Sequence, residues 1–241
     1  VINSAESLLR YSKNNTYSVS LINAIGEWNS FRKTINKNIG FKDLSKKNYI
    51  MSLPKGGFLR SRLSYLFIFI KSSPSLLKLI NLEKPDYLII HLITSLPIFL
   101  SPLFNKKTKI ILRLSGLPKL NLMRTIIWKL FSRNVYKVTC PTKSTFNRIV
   151  ESKIFDKEKI FLLRDPIINI KNILENKNKK LDKDISNTKY ILGIGRLTIQ
   201  KNFSLLLNFY IKLIKKYPEY KLYILGDGEE RNKLNNIINK N

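Results

Sequence analysis

The sequence predicts an α/β fold with parallel sheets, built from βαβ units in two domains. Two observations predict it. Short apolar runs, such as Tyr87 to His91 and Val135 to Cys140, alternate with longer stretches whose apolar residues repeat at helical spacing. And the stretch from Tyr190 to Gly228 contains one whole unit: an apolar strand, a loop with Gly193 and Gly195, a helix, Pro218, a second strand at Leu222–Leu225, and the loop Gly226-Asp227-Gly228. Both loops leave the carboxyl ends of strands, where open α/β sheets bind their ligands.

In chain order, Ser4 to Tyr11 reads as a helix and Tyr17 to Ile22 alternates like a strand. Lys47 to Leu53 is the next expected strand, closed by Pro54 and Gly56-Gly57. Phe58 to Ile70 is a helix with an apolar stripe at Leu59, Leu63, Leu66, Phe67 and Ile70, and Tyr65, Ile68 and Phe69 widen it. Lys55, Arg60, Arg62 and Lys71 flank this helix, a composition that suits either a membrane interface or an ordinary core helix. Pro85-Asp86 opens the strand ending at His91, and Leu92 to Leu103 is a loop with a short helix. Thr108 to Leu114 is a strand, Leu120 to Arg133 a basic amphipathic helix, Val135 to Cys140 a strand, Lys143 to Lys153 a helix and Lys159 to Leu163 a strand. The expected domains are residues 1–170 and 188–241, joined by a Lys- and Asn-rich linker at 171–187.

Composition bounds the function. The 241 residues carry 44 Lys and Arg against 16 Asp and Glu, a formal net charge of +28. Residues 1–170 hold 29 of those basic residues and 9 of the acidic ones, so the first domain is the basic one. Such a surface attracts nucleic acid, anionic lipid or anionic substrates. The aromatic residues sit at core spacing rather than as stacking platforms, which disfavours nucleic acid. Cys140 is the one cysteine, so no internal disulfide forms, and a reducing compartment fits. No apolar run reads as long enough to span a bilayer. Asp182-Lys183-Asp184 has the spacing of a divalent-metal motif but lies in the polar linker rather than after a buried strand; no metal is expected.

The chemistry concentrates in the loop after the strand at Tyr190. Gly193 and Gly195 allow a close backbone approach, and Asn202 is a candidate N-cap for the helix carrying Phe203, Leu206, Leu207, Tyr210 and Ile214. Arg196 and Lys201 lie between the strand end and that helix N-terminus, a natural place for a phosphate or diphosphate. Read alone, they could equally be solvated loop charges.

The whole constellation resembles the donor-site signature of glycosyltransferase family 4: Gly195-Arg196-Leu197, Gln200-Lys201-Asn202, Leu205-Leu206-Leu207, Pro218, then Gly226-Asp227-Gly228. The resemblance implies a GT-B fold, two Rossmann-like domains, of which the second is read as truncated and the first as lacking its opening strand. It implies an enzyme that transfers a sugar from a nucleotide-diphosphate sugar with retention of configuration, in cell-surface polysaccharide synthesis. Arg196 and Lys201 would carry the diphosphate as catalytic cations, with Gly193, Gly195, Gly226, Asp227 and Gly228 shaping the site. No cofactor is implied beyond the nucleotide sugar as co-substrate. Pro85-Asp86 before the strand ending in His91 is also similar to the family, where this strand ends beside the acceptor cleft. Many members have a His near the end of the following strand, where this chain has Arg113-Leu114-Ser115-Gly116. His91, Arg113, Ser115 and Gly116 are therefore the acceptor-cleft candidates. Arg164-Asp165-Pro166 departs from the family's Asn-Gly or Asn-Pro turn. The implied partners are a glycan or lipid-linked acceptor and the anionic inner face of the cytoplasmic membrane, with the protein cytoplasmic and peripheral. A non-catalytic scaffold of the same fold and a basic membrane- or nucleic-acid-binding protein are the alternatives.

Overall fold

A computed structural model describes residues 1–12, 17–45, 47–49, 53, 58–91, 95–164, 170–177, 179 and 188–240. The chain divides into two compact units, Val1–Asn169 and Ile170–Asn241.

Unit 1 opens with α1 (Ile2–Tyr11), followed by the parallel pair β1 (Val19–Asn23) and β2 (Ile39–Asp43). The second strand is thus Ile39–Asp43, and the described residues of the expected Lys47–Leu53 strand belong to no strand. Gly40 explains the difference, because it faces Ser20 across the pair: a Cβ there would lie 2.5 Å from the Ser20 hydroxyl oxygen. A strand that needs a glycine for close approach loses the apolar signature by which strands are recognised. Leu21, Ile35 and Ile39 are buried with Ala5 of α1 in a small core of their own.

The helix α2 (Phe58–Glu83) follows, then a four-stranded parallel sheet in the order β3 (Tyr87–His91), β4 (Lys109–Arg113), β5 (Val135–Cys140) and β6 (Ile160–Leu162). Its crossovers contain α3 (Ser95–Leu100), α4 (Leu122–Phe131) and α5 (Lys143–Glu151). The core is largely aliphatic, centred on Ile90, Ile110, Leu112, Val135 and Val138 of the strands and Ile80, Ile98 and Ile149 of the helices, with Trp128 of α4 packed among them. Two caps follow convention: Asn121 accepts from the Arg124 N–H and Thr142 from the Thr145 N–H.

The run read as a helix to Ile70 continues to Glu83 through Pro74. Proline removes a backbone donor and ordinarily ends a helix, but here Leu76 and Ile80 behind it are buried in the core, and that packing keeps the helix going. The Ser73 hydroxyl donates to the Phe69 carbonyl at 2.6 Å. The stretch Leu63–Glu83, 21 residues of mean hydropathy 1.3, is long and apolar enough to cross a bilayer by length and composition, which corrects the expectation that no run is.

Unit 2 begins with α6 (Ile170–Lys177), which overlaps the segment 171–187 expected to be an aperiodic linker. Asp182-Lys183-Asp184 and Asp165-Pro166 lie outside the described residues. Then come β7 (Lys189–Ile194), α7 (Phe203–Ile214), β8 (Tyr220–Leu225) and α8 (Arg231–Asn239), with β7 and β8 parallel. Phe203, Leu207 and Leu234 of the helices close on Leu197 of the first loop.

Candidate functional site

In unit 2 the register ends with Ile194 opposite Leu225, so the two loops leave side by side. Backbone hydrogen bonds join them: Gly195 N–H to the Leu225 carbonyl at 3.0 Å, Leu197 N–H to Asp227 at 2.9 Å, and Glu230 N–H to Leu197 at 2.9 Å. Arg196 is therefore held between two pinned residues, one of them the buried Leu197, while its own side chain is exposed. Lys201 ends a 3-10 turn, Ile199–Lys201, immediately before α7, and is exposed as well. Among the described residues neither cation forms an ion pair. The buried hydroxyl oxygens of Thr198 and Ser204, on either side of the turn, have no hydrogen-bond partner.

Two of the glycines are required by the packing of the unit itself. A Cβ on Gly193 would meet the Phe203 ring at 2.9 Å and Leu206 at 3.0 Å, so a glycine here admits α7. A Cβ on Gly226 would lie 1.9 Å from the Gly195 carbonyl oxygen. Close backbone approach is indeed the reason for glycine here, but the approach is of one loop to the other. Asp227 accepts from the Gly228 N–H at 2.9 Å and pairs with Arg231 at 3.3 Å, which turns it toward α8. Asn202 occupies the N-cap position with φ 50° and ψ 48°, and its side chain makes no capping bond. Its residue type answers the left-handed conformation, which asparagine tolerates better than most residues.

In unit 1 the candidates lie at the carboxyl ends of β3 and β4. His91 is the register partner of Arg113. Arg113, Ser115 and Gly116 line one cleft of about 150 Å³, together with Arg124 and Trp128 of α4. Sequence reading missed the last two. The signal available was their spacing of four on a helix, which sets the Arg124 guanidinium over the Trp128 ring at 5.7 Å. A second polar cleft, at the ends of β1 and β2, is lined by Asn29, Arg32, Asp43 and Ser45. The buried Asn23 donates to two of these residues, Asn29 at 2.8 Å and Asp43 at 2.7 Å. Among the described residues no group of three His, Cys, Asp or Glu side chains is placed to hold a metal ion.

Known proteins sharing this architecture place it. The chain superimposes on a glycosyltransferase from Rickettsia africae with a TM-score of 0.59 at 13% identity, covering 99% of this chain and 58% of that one. It superimposes on UDP-N-acetylglucosamine 2-epimerase from Rickettsia bellii with a TM-score of 0.54 at 16% identity, covering 97% and 60%. The fold is of the GT-B type. In sequence the chain is 30% identical over 199 residues to an uncharacterized glycosyltransferase of Methanocaldococcus jannaschii, covering 75% of this chain and 49% of that protein. It is 40% identical over 75 residues to an uncharacterized glycosyltransferase of Haemophilus influenzae, covering 30% and 20%. The chain thus spans half or less of the length of these curated relatives. No protein-family model matches it.

Proposed function

We propose that this chain belongs to a retaining glycosyltransferase of family 4, which moves a sugar from a nucleotide-diphosphate donor to a glycan or lipid-linked acceptor. The observation that carries the reading is the pinned loop of unit 2. Arg196 is fixed in its backbone yet open at its guanidinium, and it shares the carboxyl edge of β7 with Lys201 and the N-terminus of α7. The difficult event in such a transfer is departure of the nucleotide diphosphate while positive charge grows at the anomeric carbon. Arg196 and Lys201 would neutralise charge growing on the leaving diphosphate, and one preorganised contact of this kind contributes roughly 3 kcal/mol. The residues present suit this duty without a metal, since fixed guanidinium and ammonium groups meet phosphate oxygens directly.

The acceptor side is assigned to unit 1. Leu63, Leu66 and Ile70 on α2 and Leu122, Met123 and Leu130 on α4 are exposed, with Lys71, Lys119 and Lys129 nearby in sequence. This combination supports attachment to the anionic inner face of the cytoplasmic membrane, where each basic residue contributes about 1 kcal/mol. Such a location would suit a role in cell-surface polysaccharide synthesis. The test is sugar transfer by the intact protein from UDP- and GDP-linked sugars, in the presence of a strong chelator, with the product's anomeric configuration read by NMR. Transfer with retention is the expected result. Inversion, or activity restored only by added manganese, contradicts the reading.

A further inference from the structure

The cleft at the ends of β1 and β2 stands apart from its surroundings in charge. Its lining holds one cation and one anion, Arg32 and Asp43, in a unit that is otherwise strongly basic. The two are ion-paired, and the Arg32 guanidinium also lies 4.2 Å from the centre of the Phe41 ring. Asn23 and Asp43 are register partners at the carboxyl ends of the two strands. Asn23 is 1% exposed; its side-chain amide donates to the Asn29 side-chain oxygen and to one Asp43 oxygen, and its own oxygen accepts from the Trp28 N–H at 3.1 Å. One buried amide thus orients two of the four lining side chains, and the ion pair orients a third. The fourth, Ser45, accepts from the Lys47 N–H at 3.2 Å, so its proton is the group it can offer a ligand.

We propose that this cleft binds one uncharged sugar ring. A sugar hydroxyl both donates and accepts, and the lining supplies both partners. The Asn29 amide, the Arg32 guanidinium and the Ser45 hydroxyl donate, and the Asp43 carboxylate accepts. An anion would be repelled by Asp43 and a cation by Arg32, so the balanced pair selects against a charged ligand. Parallel sheets bind their ligands at the carboxyl ends of strands, and in dinucleotide-binding folds a carboxylate placed there holds a ribose hydroxyl. The volume of about 220 Å³ admits a single ring. It is too small for a whole nucleotide sugar, which needs a pocket of roughly 300 Å³ or more. Calling this sugar the acceptor of the transfer rests on the function proposed above; the sugar site itself does not.

The test is an NMR titration of the intact, nitrogen-15-labelled protein that reads the side-chain amides. Methyl glycosides of glucose, galactose, mannose and N-acetylglucosamine are the probes, with cyclohexanol, inorganic phosphate and methylammonium as controls. At least one glycoside should move the Asn23 and Asn29 signals saturably, while that of Asn134, bonded to Ser101 elsewhere in the unit, stays. Cyclohexanol should not, because a site built to hydrogen-bond several hydroxyls rejects a ring that lacks them, and neither should the two ions. Asn29→Ala, Ser45→Ala and Asp43→Asn should each weaken glycoside binding about fivefold or more, the effect of losing one hydrogen bond. Lys33→Gln, outside the lining, should leave it within about twofold of the parent. Asp43→Asn also leaves Arg32 without its neutralising partner, so this variant should gain a saturable response to phosphate. If Asp43→Asn does not fold, Asn29→Ala and Ser45→Ala decide the matter alone. No saturable response to any glycoside, competition by phosphate in the parent protein, or equal binding in Ser45→Ala and Lys33→Gln overturns the proposal. Nucleoside diphosphate binding is measured in parallel. Its failure while the glycoside response persists would refute the transferase reading and leave this site standing, and the reverse result would remove this site alone.

Discussion

Gly226 and Gly195 are in such close contact that a methyl group on the first would lie 1.9 Å from the carbonyl oxygen of the second. Gly195 in turn donates to Leu225 at 3.0 Å. The loops that follow β7 and β8 thus brace one another through backbone alone. Gly226→Ala must push them apart, and overpacking of this kind costs about 1–3 kcal/mol. Urea denaturation of the variant should show a lowered midpoint for unit 2, with weaker nucleoside diphosphate binding beside it. An unchanged midpoint would mean that the loops are not in contact.

Asn202 separates two explanations of one residue. If asparagine were there as a side-chain cap, serine would replace it well and glycine nearly as well. With φ 50° and no capping bond, the left-handed backbone decides instead. Asn202→Gly should then keep or slightly raise stability, while Asn202→Ser should lose about 1 kcal/mol. Thermal midpoints of the two variants give the answer, and a serine variant as stable as the parent would restore the capping account.

Cys140 is 0% exposed at the end of β5, and burial pushes its thiol up from 9.0 to about 11. The folded state therefore keeps the proton that the unfolded chain releases. Its contribution to stability is fully present below pH 9.0 and is lost as pH rises toward 11. Iodoacetamide at pH 8 should leave the native thiol unmodified and label it on unfolding. The fall in stability between these pH values should be shallower in Cys140→Val. Rapid labelling of the native protein would contradict the burial.

The strands whose core-facing residues are apolar throughout were the most legible part of the fold. Val135–Cys140 is recovered to the residue, because Val135, Val138 and Cys140 face the core and no glycine interrupts them. Ile39–Asp43 was hidden by Gly40, whose role depends on Ser20 twenty positions earlier rather than on local pattern. The second half of α2 was hidden by Pro74, where local backbone chemistry argues for a stop and burial of Leu76 and Ile80 overrides it. At the candidate site, Arg196 and Lys201 stood out because glycines and a helix start bracket them. Arg124 and Trp128 did not, since only the fold brings α4 to the end of β4.

The most direct test of the account concerns Arg196 and Lys201. Calorimetric titration of the intact protein with UDP, GDP and ADP is compared with Arg196→Ala, Lys201→Ala and the double variant. Both side chains are exposed, so the folded state should be unaffected. For the preferred nucleotide, each single variant should lose at least tenfold in affinity, about 1.4 kcal/mol. Turnover should fall about a hundredfold, because the contact strengthens as the diphosphate leaves. Affinity and turnover that survive in the double variant would contradict the assignment of this loop as the donor site.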